Sequence, residues 1–573
     1  MTELIGLAGA PGYGAGTAIH LRRCALSTAR VSAPRPADEV AALEAARGRY
    51  RQTLINQAAA AHGDPESASI FEGYTAMVDD EVFFSGVKRL ILAGAVCASY
   101  ALEQKRAETV ETFLATDNDF LRTRADDFSN VCHELMADLQ GVGDGSLLPE
   151  GAGNHLVVFA QELSPSDIVK LDPNRLSGIV TYSGGINSHT AILAKALGIP
   201  AVVGIGVPKA EVADGLLVLV DGTAGRVLLQ PNRATQEQFL SQQKFAQKQQ
   251  LLYDACCPFP AVTLDGTTIR VGINSGDRES IEIFNPTRCD GVGLFRTEFL
   301  YMETSDYPSE ETQFAAYRDM AISAKGKELI IRTLDAGGDK QLAYMDMPAE
   351  ANPFLGYRAI RLCLDRPALF KTQLRAILRA SVFGDVKIMF PMIVNLEELL
   401  AAKKLLHEAM EELDAQKVSY RADIPVGIMI ETPAAVLLSD RLARHVSFFS
   451  VGSNDLIQYT TATDRMNERM SGLYDSCNLS VLRSVALTCK SAHDGGIPID
   501  ICGEIASEPR LVPLWCAMGI DTLSVSPALV GRTKYIISHT NRAALQEDLS
   551  AILVEDSIQA VKIRLNRIIS AIL

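Results

Sequence analysis

Gly291-Val292-Gly293-Leu294-Phe295-Arg296 is a short apolar run that stops on a cation. Bounded by turn residues, such a run reads as a buried strand. Seven more runs repeat the pattern. The eight strand candidates are Thr268–Ile273, Gly291–Phe295, Glu328–Leu334, Val386–Phe390, Val426–Ile430, Val446–Val451, Ile497–Ile501 and Thr522–Val525. Helical stretches separate most of them, and eight buried β-branched strands in alternation with helices are what a (β/α)8 barrel requires. The strand ends support the count. They carry Asn274, Arg296 and Glu298, Arg332 and Asp335, Glu431, Asn454 and Asp455, and Cys502 and Glu504. Chemistry in such barrels sits at those C-terminal ends, whereas charges that only solvate outer helices would not fall there so repeatedly.

Upstream of the barrel the texture changes. The glycine-rich start, Ile5-Gly6-Leu7-Ala8 onward, reads as strand with tight turns. After Pro34 and Pro36, apolar residues recur at helical spacing. Ile70, Phe71, Tyr74, Met77 and Val78 form one stripe; Phe120, Leu121, Phe128, Val131, Cys132, Leu135, Met136 and Leu139 form another, closed by Gly141. Strand and helix then alternate from Leu156-Val157-Val158-Phe159 to Leu217-Val218-Leu219-Val220. A glutamine-rich helical segment with few large apolar residues follows Pro231. The division expected is an α/β domain over 1–33 and 145–230, a helical bundle over 34–144 inserted into it, a solvated helical linker over 231–258, and the barrel over 259–573.

Gly184-Gly185-Ile186-Asn187-Ser188-His189-Thr190-Ala191 delivers a histidine to a helix start. The glycines allow a tight turn and Ser188 suits an N-cap. Helix N-terminal amides favour anions, so a phosphoryl group on His189 would be stabilised there. Neutral imidazole is a competent nucleophile near pH 7. At the barrel, Glu431 and Asp455 suit a hard divalent cation such as Mg²⁺. Arg296, Arg332, Arg358 and Arg465 offer planar forks for phosphate and carboxylate, and Lys340, after Gly337-Gly338-Asp339, adds a point charge. Cys502, at a strand end beside this bed, is placed to give a proton to carbon, since a thiol can exchange protons near neutrality; alone, a cysteine on an apolar strand is usually packed and inert. A nucleophile on one domain and a donor bed on another imply a multidomain phosphotransferase that moves.

Composition agrees. A chain of 573 residues suggests about four domains. A formal charge of −15 argues against nucleic acid or anionic membrane as the main partner. Eleven cysteines, scattered apart from Cys256-Cys257 and without a CxxC pair, fit reduced cytosolic thiols. Met1-Thr2-Glu3-Leu4 has no basic n-region, and the most apolar run, Leu90 to Leu102, is too short to span a bilayer. A soluble cytoplasmic protein is expected.

The loop with its continuation Ile192-Leu193-Ala194 to Val203-Gly204, together with residues 291–300, 352–361, 430–435 and 452–459, resembles Enzyme I, the phosphoenolpyruvate–protein phosphotransferase of the bacterial sugar phosphotransferase system. The similarity runs through essentially the whole chain. It implies phosphoryl transfer from phosphoenolpyruvate to His189 and onward to a histidine of the carrier HPr. It further implies Mg²⁺ held by Glu431 and Asp455, substrate contacts from Arg296, Arg332, Arg358, Asn454 and Arg465, and Cys502 as the acid that turns enolpyruvate into pyruvate. The bundle resembles the HPr-docking subdomain, with Glu66, Glu72, Asp79, Asp80 and Glu81 as an acidic rim around Phe71 and Met77, and the barrel resembles the dimerisation domain. Departures are Ile186-Asn187 where the family usually has Arg-Thr, Ile168 where some members place a threonine, and Asp475-Ser476-Cys477-Asn478 in a turn usually richer in Pro and Ser. Pyruvate phosphate dikinases and phosphoenolpyruvate synthases share the histidine and barrel modules but need an ATP-binding domain, for which no stretch precedes His189. Nitrogen-related regulatory paralogues carry an added N-terminal sensory domain, also not seen, which favours sugar transport.

Overall fold

The computed structural model describes residues 2–21, 26–60, 65–114, 119–142, 148, 153–164, 167, 170–185, 188–206, 212–276, 285, 287–302, 304, 306–338, 343–345, 350–467, 470 and 472–573. Two compact units divide the chain, Met1–Ala246 and Gln247–Leu573.

The first unit holds an eight-stranded sheet: β1 (Thr2–Ile5), β2 (Leu7–Ala10), β3 (Tyr13–His20), β4 (Leu156–Ala160), β5 (Leu176–Thr181), β6 (Ala201–Val203), β7 (Leu217–Asp221) and β8 (Arg226–Leu229). Their order is β1-β8-β7-β3-β4-β5-β6-β2. β3 is the pivot, antiparallel to β7 and parallel to β4. Between β3 and β4 run five helices: α1 (Pro36–Ala60), α2 (Pro65–Val78), α3 (Glu81–Gly94), α4 (Ala98–Leu114) and α5 (Asp119–Leu139). Leu43, Phe71, Tyr74, Phe84, Ile91, Leu102, Phe128 and Leu135 fill their shared core. Phe83 meets both Phe84 and Phe128 edge-on, at centroid distances of 5.0 and 4.7 Å. Gly141, at φ 69, occupies the left-handed region just past α5, as a C′ glycine should.

The exposed acidic residues of the expected rim also have partners within the bundle. Asp80 caps α3, accepting from the N–H groups of Val82 and Phe83 at 2.9 and 3.0 Å. Asp79 pairs with Arg51 and Glu81 with Arg47, both at 2.9 Å. Phe71 is a core residue, 2% exposed. The side chains of Glu66 and Glu72 lie outside the described residues.

One helix, Arg233–Cys256, crosses the boundary between the units. It is mostly exposed, as its glutamines suggest, with one anchor. Phe239 is buried and packs edge-on against Tyr13 at 5.4 Å.

In the second unit eight parallel strands close on themselves: β10 (Thr268–Ser275), β11 (Gly291–Phe295), β12 (Glu328–Arg332), β13 (Asp385–Phe390), β14 (Val426–Ile430), β15 (Phe449–Val451), β16 (Ile499–Ile501) and β17 (Thr522–Val525), with β10 pairing both β17 and β11. A short β9 (Ala261–Val262) pairs antiparallel with β10. Three strands keep their expected bounds, and the other five differ by one to three residues. β16 starts at Ile499 because Pro498 has no N–H for the ladder. Strand alternation sorts the side chains. Ile428, Ile430, Phe449, Val451, Ile499, Ile501, Leu523 and Val525 join the large outer core under the helices, whereas Leu294, Ile330, Met389, Met429 and Cys502 form a separate cluster inside. The interleaved Ser450, Asp500, Thr522 and Ser524 make that interior unusually polar.

Candidate active site

The C-terminal ends of the barrel strands surround a cavity of about 440 Å³, lined among others by Arg296, Arg332, Glu431, Asn454, Asp455, Arg465 and Cys502. The expected bed residues thus meet in one place, apart from two. Arg358 lies behind the wall, 2% exposed. Lys340 falls outside the described residues, as do Ile168, Ile186 and Asn187.

Arginines and carboxylates alternate behind and along the cavity wall. Arg332 donates to Glu298 Oε1 at 3.0 Å and stands 3.0 Å from Asp335 Oδ2. Arg358 donates to Asp335 Oδ1 at 2.8 Å and faces Asp455 Oδ2 at 3.4 Å; its other nitrogen donates to the Tyr459 hydroxyl at 3.1 Å. Arg465 approaches Asp455 Oδ1 at 3.6 Å. Burial works against the Arg332 and Arg358 charges. The carboxylates beside them outweigh it and hold both guanidinium groups above their ordinary range. Such a row keeps buried cations in fixed orientation, with the geometry that recognises phosphate and carboxylate.

Glu431 is 1% exposed and accepts the Met392 N–H at 2.6 Å. Burial, then the neighbouring Asp455 and Asp335 carboxylates, push its carboxyl up to about 8, against the pull of Arg332 and Arg358. Asn454 lies in the first turn of the helix Ser453–Thr461, where its side chain accepts the Glu504 N–H at 3.2 Å and its carbonyl accepts the Tyr474 hydroxyl at 3.1 Å. Arg296 is exposed at the mouth.

Cys502 follows β16, and its carbonyl accepts from the Asn274 side chain at 3.0 Å. Burial and then Asp500 push its thiol up to about 12. The sequence expectation of a thiol exchanging near neutrality is therefore revised: this sulfur holds its proton tightly.

In the first unit, His189 opens the helix His189–Ala196, capped by the Ser188 hydroxyl, which accepts the Ala191 N–H. Gly184, at φ 99, supplies the turn before it. The histidine's side chain lies outside the described residues.

Sequence reasoning noted Glu298 and Asp335 as strand-end charges but gave them no role, and it missed Tyr459. Their strand-end positions were a signal. Their partners, 34 and 23 residues away in the chain for Glu298–Arg332 and Asp335–Arg358, were not.

Three family models match in order: the N-terminal domain of PEP-utilising enzymes over residues 5–124, the mobile domain over 153–225 and the PEP-binding domain over 253–542. A phosphoenolpyruvate-protein phosphotransferase of Priestia megaterium is 36% identical over 98% of both chains. One from Geobacillus stearothermophilus is 40% identical over 85% of this chain and 84% of the relative, and one from Listeria monocytogenes is 37% identical over 98% and 99%. A solution structure titled as Enzyme I (nEIt) is 28% identical, covering 43% of this chain and 99% of that one at a TM-score of 0.35. With these motifs in one order and relatives matched along nearly their whole length, the chain belongs to the phosphoenolpyruvate-protein phosphotransferase (Enzyme I) family.

Proposed function

We propose that this chain takes the phosphoryl group of phosphoenolpyruvate onto His189 and passes it to a histidine of an HPr-type carrier, the entry step of sugar uptake by a phosphotransferase system. The alternating row of arginines and carboxylates around the barrel cavity is the observation that carries this reading. Arg296, Arg332 and Arg465 bind the donor's phosphate and carboxylate with Asn454, and Arg358 fixes Asp335 and Asp455 from behind. Lys340 adds a positive charge to the set.

Glu431 and Asp455 fit Mg²⁺. Among the described residues no cluster of three or more metal-ligating side chains occurs, but this ion takes one or two carboxylates and completes its shell with substrate and water. The mutual repulsion that raises Glu431 is what a divalent cation would relieve. Once bound, it draws negative charge from phosphate and enolate oxygens.

His189 attacks the phosphorus from the mobile domain. The departing enolate takes the Cys502 proton at its methylene carbon and becomes pyruvate. A thiol held protonated by burial suits a donor that must not ionise early. The bundle over 34–144 docks the carrier, residues 231–258 link the domains, and the barrel over 259–573 pairs two copies in the cytoplasm. No described helix is long and apolar enough to cross a membrane.

Incubation with labelled phosphoenolpyruvate and Mg²⁺ tests the function. The expected product is an acid-labile, alkali-stable phosphoprotein that discharges to an HPr-type carrier. An acid-stable label, or none, would refute the proposal.

A further inference from the structure

Below Cys502 the barrel interior holds a polar cluster that the reaction as described does not use. Asp500 lies on β16 and Cys502 just past its end, two residues on, so both face inward. Ser450 on β15 is in register with Asp500, and Thr522 on β17 is in register on its other side. All three are buried, at 0, 5 and 4% exposure for Ser450, Asp500 and Thr522. Ser450 lies close enough to Asp500 and Cys502 to favour the charged form of each, while the Cys502 thiol donates to the Val451 carbonyl at 3.6 Å. Yet Ser450 Oγ, Asp500 Oδ2 and Thr522 Oγ1 complete no well-formed hydrogen bond with protein. Buried polar atoms left so in a cluster call for water or for a proton in transit. Thr522 also lines a cavity of about 10 Å³ with Arg270, Gly272, Gly293 and Glu328, close to the room one water needs.

We propose that Asp500 and Ser450 form a proton relay through the barrel interior that returns a proton to the Cys502 sulfur after each turnover. The proposal rests on Cys502 as the acid that protonates the enolate. In that step the S–H bond breaks, a C–H bond forms at the methylene carbon, and a thiolate remains. The thiolate takes the Ser450 hydroxyl proton while the Ser450 oxygen takes the Asp500 carboxyl proton. Solvent water reprotonates Asp500, so one solvent proton is consumed per pyruvate.

The surroundings suit a carboxyl that must carry a proton. Burial, then the Glu328 carboxylate, push Asp500 up to about 8, while Ser450, Arg270 and Lys387 pull it down. Glu328 is itself held by Arg270 at 3.2 Å and by Lys387. Asp500 can therefore be protonated near neutrality and release its proton when a stronger base forms above it. Substrate and product occupy the cavity on the other side of Cys502, which makes a supply from beneath useful.

Rapid-quench kinetics on the full-length protein, with phosphoenolpyruvate, Mg²⁺ and an HPr-type carrier, separate the first turnover from later ones. Asp500→Asn keeps size and polarity but cannot deliver a proton; Ser450→Ala cuts the chain at its middle. Each should keep the burst of one pyruvate and one phosphohistidine per site, because the thiol begins protonated. Each should slow later turnovers by ~10-fold or more. A parallel fall of burst and steady state would mark a structural role and overturn the relay, as would unchanged turnover in both variants. Cys502→Ser is the control for the underlying reading. A wild-type pyruvate burst in Cys502→Ser would overturn that reading, whatever the other two variants do.

Discussion

Gly452 stands where any side chain would strike Glu431: a Cβ added there would lie 2.7 Å from Glu431 Oε2 and 2.8 Å from the Met429 side chain. The carboxylate is thus positioned by the absence of an atom on the next strand's end. Gly452→Ala should shift Glu431 without unfolding the barrel. If Glu431 holds Mg²⁺, the concentration of Mg²⁺ that half-saturates phosphoprotein formation should rise ~10–100-fold, the usual effect of disturbing a ligand's support. An unchanged Mg²⁺ titration in a folded variant would show that Glu431 is not a ligand.

Arg358 joins Asp335 to Asp455 deep in the wall. Arg358→Met would leave both carboxylates short of a buried cation. A loss of about 3–5 kcal/mol of stability is expected, read as a lower urea midpoint at unchanged slope. A stability change under ~1 kcal/mol would mean that solvent already screens the pair.

His189→Ala should abolish phosphoprotein formation and leave phosphoenolpyruvate binding nearly intact. Nucleophile and donor bed belong to different units, so loss of one should not dismantle the other. Calorimetry is the check, and lost donor binding would count against two separate sites.

Cys502→Ser should fold and bind the donor normally while turnover falls by ~10²-fold or more, since serine is a far weaker acid. Solvent hydrogen exchange into the methyl group of pyruvate, catalysed by phosphorylated enzyme, should vanish with it. Loss of stability with normal exchange would identify a packing cysteine.

Asp500 sets a pH dependence of stability. Its carboxyl titrates near 3.8 when solvated and is pushed up to about 8 here, by burial first and Glu328 second. A raised folded-state pKa stabilises fully below the solvated value, and that contribution is lost as pH rises through the folded value. The melting temperature of the wild type should therefore fall from about pH 5 toward pH 8 more steeply than that of Asp500→Asn. Parallel curves would show that Asp500 ionises freely in the folded protein.

What the sequence by itself determined is everything local. Strand runs such as residues 291–295, the capping Ser188 and the turn glycine Gly184 are written in neighbouring residues, because strand pairing faces and helix caps depend on offsets of a few positions. The barrel followed from repetition of that local pattern. The tertiary structure alone decided which charges meet. Arg358 and Asp455 are 97 residues apart, and Ser450 meets Asp500 only because β15 and β16 lie in register. It also decided that the Cys502 thiol keeps its proton. Long-range burial sets these outcomes: desolvation and Coulomb terms depend on what the fold brings within a few ångströms, which no spacing along the chain encodes.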